Sequence, residues 1–98
     1  MAHIEIAVNA AEPADAEACF ELGMAHSIGV NGASDMVAAH MWFNIAATWG
    51  HKDGALLRKE IAAQMSDSEI GCAQKAARAW LKAHPHTVDA APEIRVAA

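Results

Sequence analysis

Apolar positions recur at three- and four-residue spacing in four stretches of this chain, and each stretch is bounded by residues that start or stop helices. The first runs from near Pro13, a residue suited to an opening helical turn, with Glu12, Asp15 and Glu17 placed to favour the positive helix end. Ala18, Leu22, Ala25 and Ile28 share one face of it, and Gly29 stops it. "GVNGAS" supplies glycines and an asparagine that tolerate positive φ, so it reads as a loop. A second helix starts from Ser34 or Asp35, either able to cap it, with an inward stripe of Ala39, Trp42, Phe43, Ala46 and Ala47. Gly50 sits where a C-terminal glycine belongs.

The third helix is expected over Asp53–Met65, with Leu57, Ile61 and Met65 at four-residue intervals. Ser66 and Glu69 then have capping-box spacing, so a fourth helix begins rather than the third continuing. Ile70, Ala73, Ala77, Trp80, Leu81 and His84 form its apolar stripe, and Pro85 ends it. The chain ends differ: "HIEIAV" (3–8) and "EIRV" (93–96) alternate in the manner of extended strands, which either pair with each other, pair with a second copy, or stay unordered. The expected fold is all-α: two antiparallel helix pairs, four helices in all, stacked as a short α-solenoid with extended chain ends. Its divisions are an N-terminal extension (1–12), a repeat domain (13–84, with pairs at 13–50 and 51–84) and a tail (85–98).

Composition sharpens this. Alanine, which loses no side-chain entropy in a helix, makes up about a quarter of the chain, and tyrosine is absent. A net charge of −5 argues against a nucleic-acid partner, whose phosphates need a basic surface. Lys75, Arg78 and Lys82 share one face of the fourth helix, and three basic residues opposite an apolar stripe read as a solvated face. No apolar run is long enough to span a membrane, since His40 and Asn44 interrupt the best one. No signal peptide is visible, so the expected location is cytoplasmic. Cys19 and Cys72 lack paired spacing and read as small core residues.

The helices also echo one another. "AAHMWF" (38–43) returns as "AARAWL" (76–81), and Leu22-Gly23 is answered by Ile61-Ala62 one register out. A helix pair repeating at this interval marks an α-solenoid. The stretch from Ala18 to Ala55 resembles the Sel-one-like repeat, a relative of the tetratricopeptide repeat. The resemblance rests on Ala18, Leu22, Gly23, Gly29, Asp35 and Ala39, continuing through Trp42, Phe43, Ala46, Ala47 and Gly50. The chain departs from that pattern at His26 (usually tyrosine), Asn31 and Gly32 in the loop, and Gly54 (usually alanine). The second pair keeps Trp80 but loses the glycine loop, as a degenerate or capping repeat does.

The resemblance implies a non-enzymatic adaptor presenting a helical surface to another protein or peptide, with no cofactor. A solenoid of only two pairs leaves apolar surface uncovered, so a homodimer is also expected. Candidate partner-binding residues are Glu21, Met24 and His26, plus Trp49, which either buries against the later helices or stands exposed as an interface anchor. Two other classes of function carry less weight. His84 and His86, with His3 or with His51 and Asp53, could assemble a metal or small-ligand site, but no helical HxxxH spacing occurs. No nucleophile triad, phosphate loop or carboxylate pair supports an enzyme.

Overall fold

A computed structural model describes residues 13–29 and 32–85. The expected strands at 3–8 and 93–96 lie outside these residues. Four helices follow in order: α1 (Ala16–Ile28), α2 (Met36–Thr48), α3 (Lys52–Ala62) and α4 (Asp67–Ala83). The fold is all-α, as the periodicity predicts.

Each helix start is fixed by a side chain accepting an otherwise orphaned amide. Asp15 accepts from the Ala18 N–H at 2.9 Å, so α1 begins three residues later than Pro13 suggested. Asp35 accepts from the Ala38 N–H at 2.9 Å and opens α2. At α4 the capping box is complete: the Glu69 N–H donates to Ser66 Oγ (3.1 Å) and the Ser66 N–H donates back to Glu69 Oε1 (2.9 Å). The third cap was not foreseen. His51 Nδ1 accepts from the Gly54 N–H at 2.9 Å, so an imidazole rather than a carboxylate starts α3.

The helix ends are equally explicit. At the end of α2 the His51 N–H donates to the Ala46 carbonyl (2.9 Å) and the Gly50 N–H to the Ala47 carbonyl (3.0 Å). This is a Schellman closure, and it needs the φ of +95° that Gly50 supplies. Gly29 closes α1 in the left-handed region at φ 76°. Helix α3 stops at Ala62 rather than Met65. The Gln64 and Met65 amides tighten into three-residue turns so that Ser66 reaches the extended backbone its cap demands.

Helix α2 is the shared element. It packs against α1, α3 and α4, whereas the other helix pairs touch little or not at all. The second pair is therefore held together through α2 more than through its own contact. One cluster joins Cys19 of α1, Ile45 and Ala46 of α2, and Ala77 of α4; a second joins Ala39 and Phe43 of α2 with Ile61 of α3. Ala39, Phe43, Ile45 and Ala46 are fully buried and His40 nearly so, so α2 is covered around much of its girth.

The buried face of α1 is rotated from the expected one. Cys19 and Gly23 are buried, Ala18, Leu22 and Ala25 are half-buried, and Ile28 is 66% exposed. The cause is close approach: a Cβ built on Gly23 would lie 2.5 Å from the Phe43 ring, so α1 rests on α2 along the side-chain-free line through Gly23. Gly54 does the same for α3, where a Cβ would lie 3.0 Å from that of Ala46. Cys72 is exposed on α4, not in the core as its alanine-rich setting suggested, while Cys19 is fully buried.

Gly23→Ala should therefore overpack the α1–α2 contact and lower unfolding free energy by about 1–3 kcal/mol in a denaturant titration. Gly71, mid-helix in α4, has open space where its Cβ would be. Gly71→Ala should stabilise the chain in the same assay by up to about 1 kcal/mol through helix propensity alone.

Candidate interaction surface

The three tryptophans converge. Trp42 meets Trp80 edge-on, with ring centroids 5.3 Å apart at 73°, and Trp49 meets Trp80 at 5.7 Å. All three are half-buried and pack on the cluster around Ile45 and Ala77. His84 extends the stack: its ring lies 4.1 Å from Trp80 at 10°, and its Nδ1–H donates to the Trp80 carbonyl at 2.9 Å. Trp42 and Trp80 are the echoed residues of the two related stretches, and Ala39 and Ala77, the matching alanines one turn earlier, are both buried.

On the other side of α2, His51 links three helices. Its ring stacks on Phe20 of α1 at 4.3 Å and 13°, and Phe20 in turn leans on Phe43 at 5.6 Å. Because Nδ1 accepts from Gly54, the proton sits on Nε2, which donates to Glu17 Oε1 at 3.0 Å. The residue that caps α3 thus also ties α3 to α1.

A polar line runs along α2 at four-residue spacing: His40, Asn44 and Thr48. Asn44 Oδ1 accepts from Arg58 Nη1 at 2.8 Å, and Thr48 Oγ1 donates to the Asn44 carbonyl at 2.9 Å. His40 is buried and its Nδ1 has no partner. Burial, and secondarily the Arg58 charge, hold its pKa below the usual 6.5. Sequence reasoning passed over this line, although the four-residue recurrence of polar types within an apolar helix was there to be read.

Three of the proposed partner-binding residues lie on α1 and the fourth, Trp49, caps the end of α2. Glu21 and Met24 are exposed on α1, His26 is half-buried, and its carbonyl accepts from the Asp35 N–H at 2.9 Å. Trp49 sits in the tryptophan cluster, whose buried residues include Cys19 of α1. Of the histidines considered as ligands, His51 and His84 are engaged as described, and His3 and His86 lie outside the described residues. Among the described residues no three His, Cys, Asp or Glu side chains are grouped to hold a metal ion. Cys19 is held as a thiol, its pKa pushed up to about 12 by burial and then by the Asp15 carboxylate. No described helix is long and apolar enough to cross a membrane. No family model, curated protein or solved structure matches this chain.

Two outcomes follow. Because the folded-state pKa of His40 lies below 6.5, the unfolded chain binds its proton first, so stability is at its full value above pH 6.5 and falls as pH drops below it toward the lowered folded-state pKa. His40→Leu should flatten this acid limb in pH-dependent denaturation while costing little at neutral pH, because it also removes an unpaired buried nitrogen. Trp49→Ala should remove about 2–3 kcal/mol of stability, read as a lower denaturation midpoint, because its ring fills space between α2 and α4.

Proposed function

We propose that the chain is a non-enzymatic protein–protein interaction module. It is a short helical repeat of the Sel-one-like kind, cytoplasmic, whose outward helix faces bind another protein or peptide. The observation that carries this reading is the meeting of Trp42 with Trp80. Two related helices place the same residue at the same site and pack there, which is how stacked repeats join. Gly23, Gly29, Asp35 and Gly50, the further residues of the resemblance, serve a close approach, a helix stop, a cap and a turn.

The chemistry-bearing side chains support binding over catalysis. His51 caps and bridges, His84 stacks, His40 is enclosed, and Cys19 is a buried thiol. Those engagements also weigh against the alternative of a histidine-based metal or small-ligand site, which would need His51 or His84 released.

Reconstitution tests the reading. Proteins retained by the immobilised full chain are purified separately and titrated against it by calorimetry. Saturable binding at micromolar Kd, about −8 kcal/mol, is expected. Failure of every protein, peptide and second copy to bind saturably sinks it.

A further inference from the structure

Helices α1 and α4 each lean on α2 and turn a charged face outward, and the two faces are opposite in sign. On α4, Lys75, Arg78 and Lys82 are exposed at spacings of three and four, and with Ala79 and Leu81 they line an open depression of about 650 Å³. Every acidic residue of α4 lies in its first turn, and none of the three cations forms an ion pair with a described residue. Like charges at these spacings repel, so the arrangement costs the isolated helix stability. Gly71 extends the same face, exposed and with nothing beside it, leaving the backbone open to close approach.

On α1 the outward stripe is Glu17, Glu21, Met24 and Ile28, also spaced by three and four. Met24 is 36% exposed and Ile28 66%, two of the three large apolar side chains exposed among the described residues. This face offers carboxylates at one end and uncovered apolar surface at the other. Carboxylates are what the α4 cations lack, and Ala79 and Leu81 are what Met24 and Ile28 lack.

We propose that the cationic face of α4 docks on the acidic and apolar face of α1 of a second copy of this chain. The inference rests on the interaction-module reading and names its partner surface. Because the two faces differ, the contact is heterologous: it builds an open chain of molecules, or a ring where the rotation closes. One helix laid on another buries less than the roughly 1,200 Å² of a stable standard interface, so the association is weak and concentration-dependent. It is also salt-sensitive, since its exposed charges are screened.

Charge reversal with mixing tests this in the full chain, with mass followed by sedimentation equilibrium and folding checked by thermal melts. Wild type should gain mass with concentration at about 0.05 M salt and revert to monomer near about 0.5 M. The triple variant Lys75→Glu, Arg78→Glu, Lys82→Glu should associate about tenfold or more weakly, and so should Glu21→Lys, because each sets like charges face to face. An equimolar mixture of the two variants should recover association, since the native cationic α4 of the Glu21→Lys chain meets the native acidic α1 of the triple variant. Wild type that stays monomeric at low salt overturns the docking, while the interaction-module reading is still decided by titration with other proteins. Association that survives both reversals, or a mixture that fails to recover it, overturns this interface and leaves self-association standing. A monomer that instead binds an acidic peptide through α4 assigns the face to a different partner and equally overturns it.

Discussion

The Phe43 ring occupies the place a side chain on Gly23 would need, and much of the structure depends on that contact. With no Cβ at Gly23, α1 comes down onto α2 close enough to enclose Phe43 and Cys19 completely. Phe20, one residue past Cys19, is thereby carried to the other edge of Phe43, where it supports the ring of His51. His51 in turn sets the start of α3. One missing methyl group therefore governs the seating of α1, the placement of an aromatic ladder and the cap of a third helix. An interior packed to crystal-like density transmits such a constraint because its neighbours have no free volume in which to yield.

The same geometry explains why α2 is so apolar. A helix packed on a single neighbour needs one apolar stripe, but α2 serves three, and its polar residues retreat to the line of His40, Asn44 and Thr48. Two members of that line are satisfied, one by Arg58 and one by backbone, and the third is enclosed without a partner for Nδ1. The unpaired nitrogen is a destabilising element in a chain of few residues.

Helix number and most of the punctuation were legible in the sequence, because capping and glycine closure are local chemistry. Ser66 with Glu69 and Asp35 each act within a few residues of themselves, and Gly50 takes the one backbone region that favours glycine. What pattern could not supply was the side on which α1 is buried. Ala18–Leu22 and Cys19–Gly23 are rival stripes one residue apart, and the choice is made by Phe43 in another helix. The capping role of His51 was hidden because Asp53 looked like the better helix-opening residue. The engagement of Trp49 with Trp80 was hidden likewise, since it depends on how helices are arranged around α2 rather than on any one helix. Cys72 lies off the stripe of Ile70, Ala73, Ala77 and Trp80 that the sequence supplies for α4, and its alanine-rich setting misleads because alanine marks helix propensity as well as burial.

Alanine also limits what the surface can do. Small side chains let helices approach closely but bury little apolar area each, so a chain this rich in alanine has few large residues to share between its own core and any partner. The half-buried tryptophans and the buried Phe43 are engaged in joining α2 to its neighbours, and only Met24, Ile28 and Leu56 are exposed among the large apolar residues described. A partner face built from these must draw its selectivity from charge, which steers encounter and sets register more than it deepens affinity. The separation of cations on α4 from carboxylates on α1 is the arrangement such a surface requires. In a chain of net charge −5, the cations gathered on α4 stand against an excess of acid elsewhere.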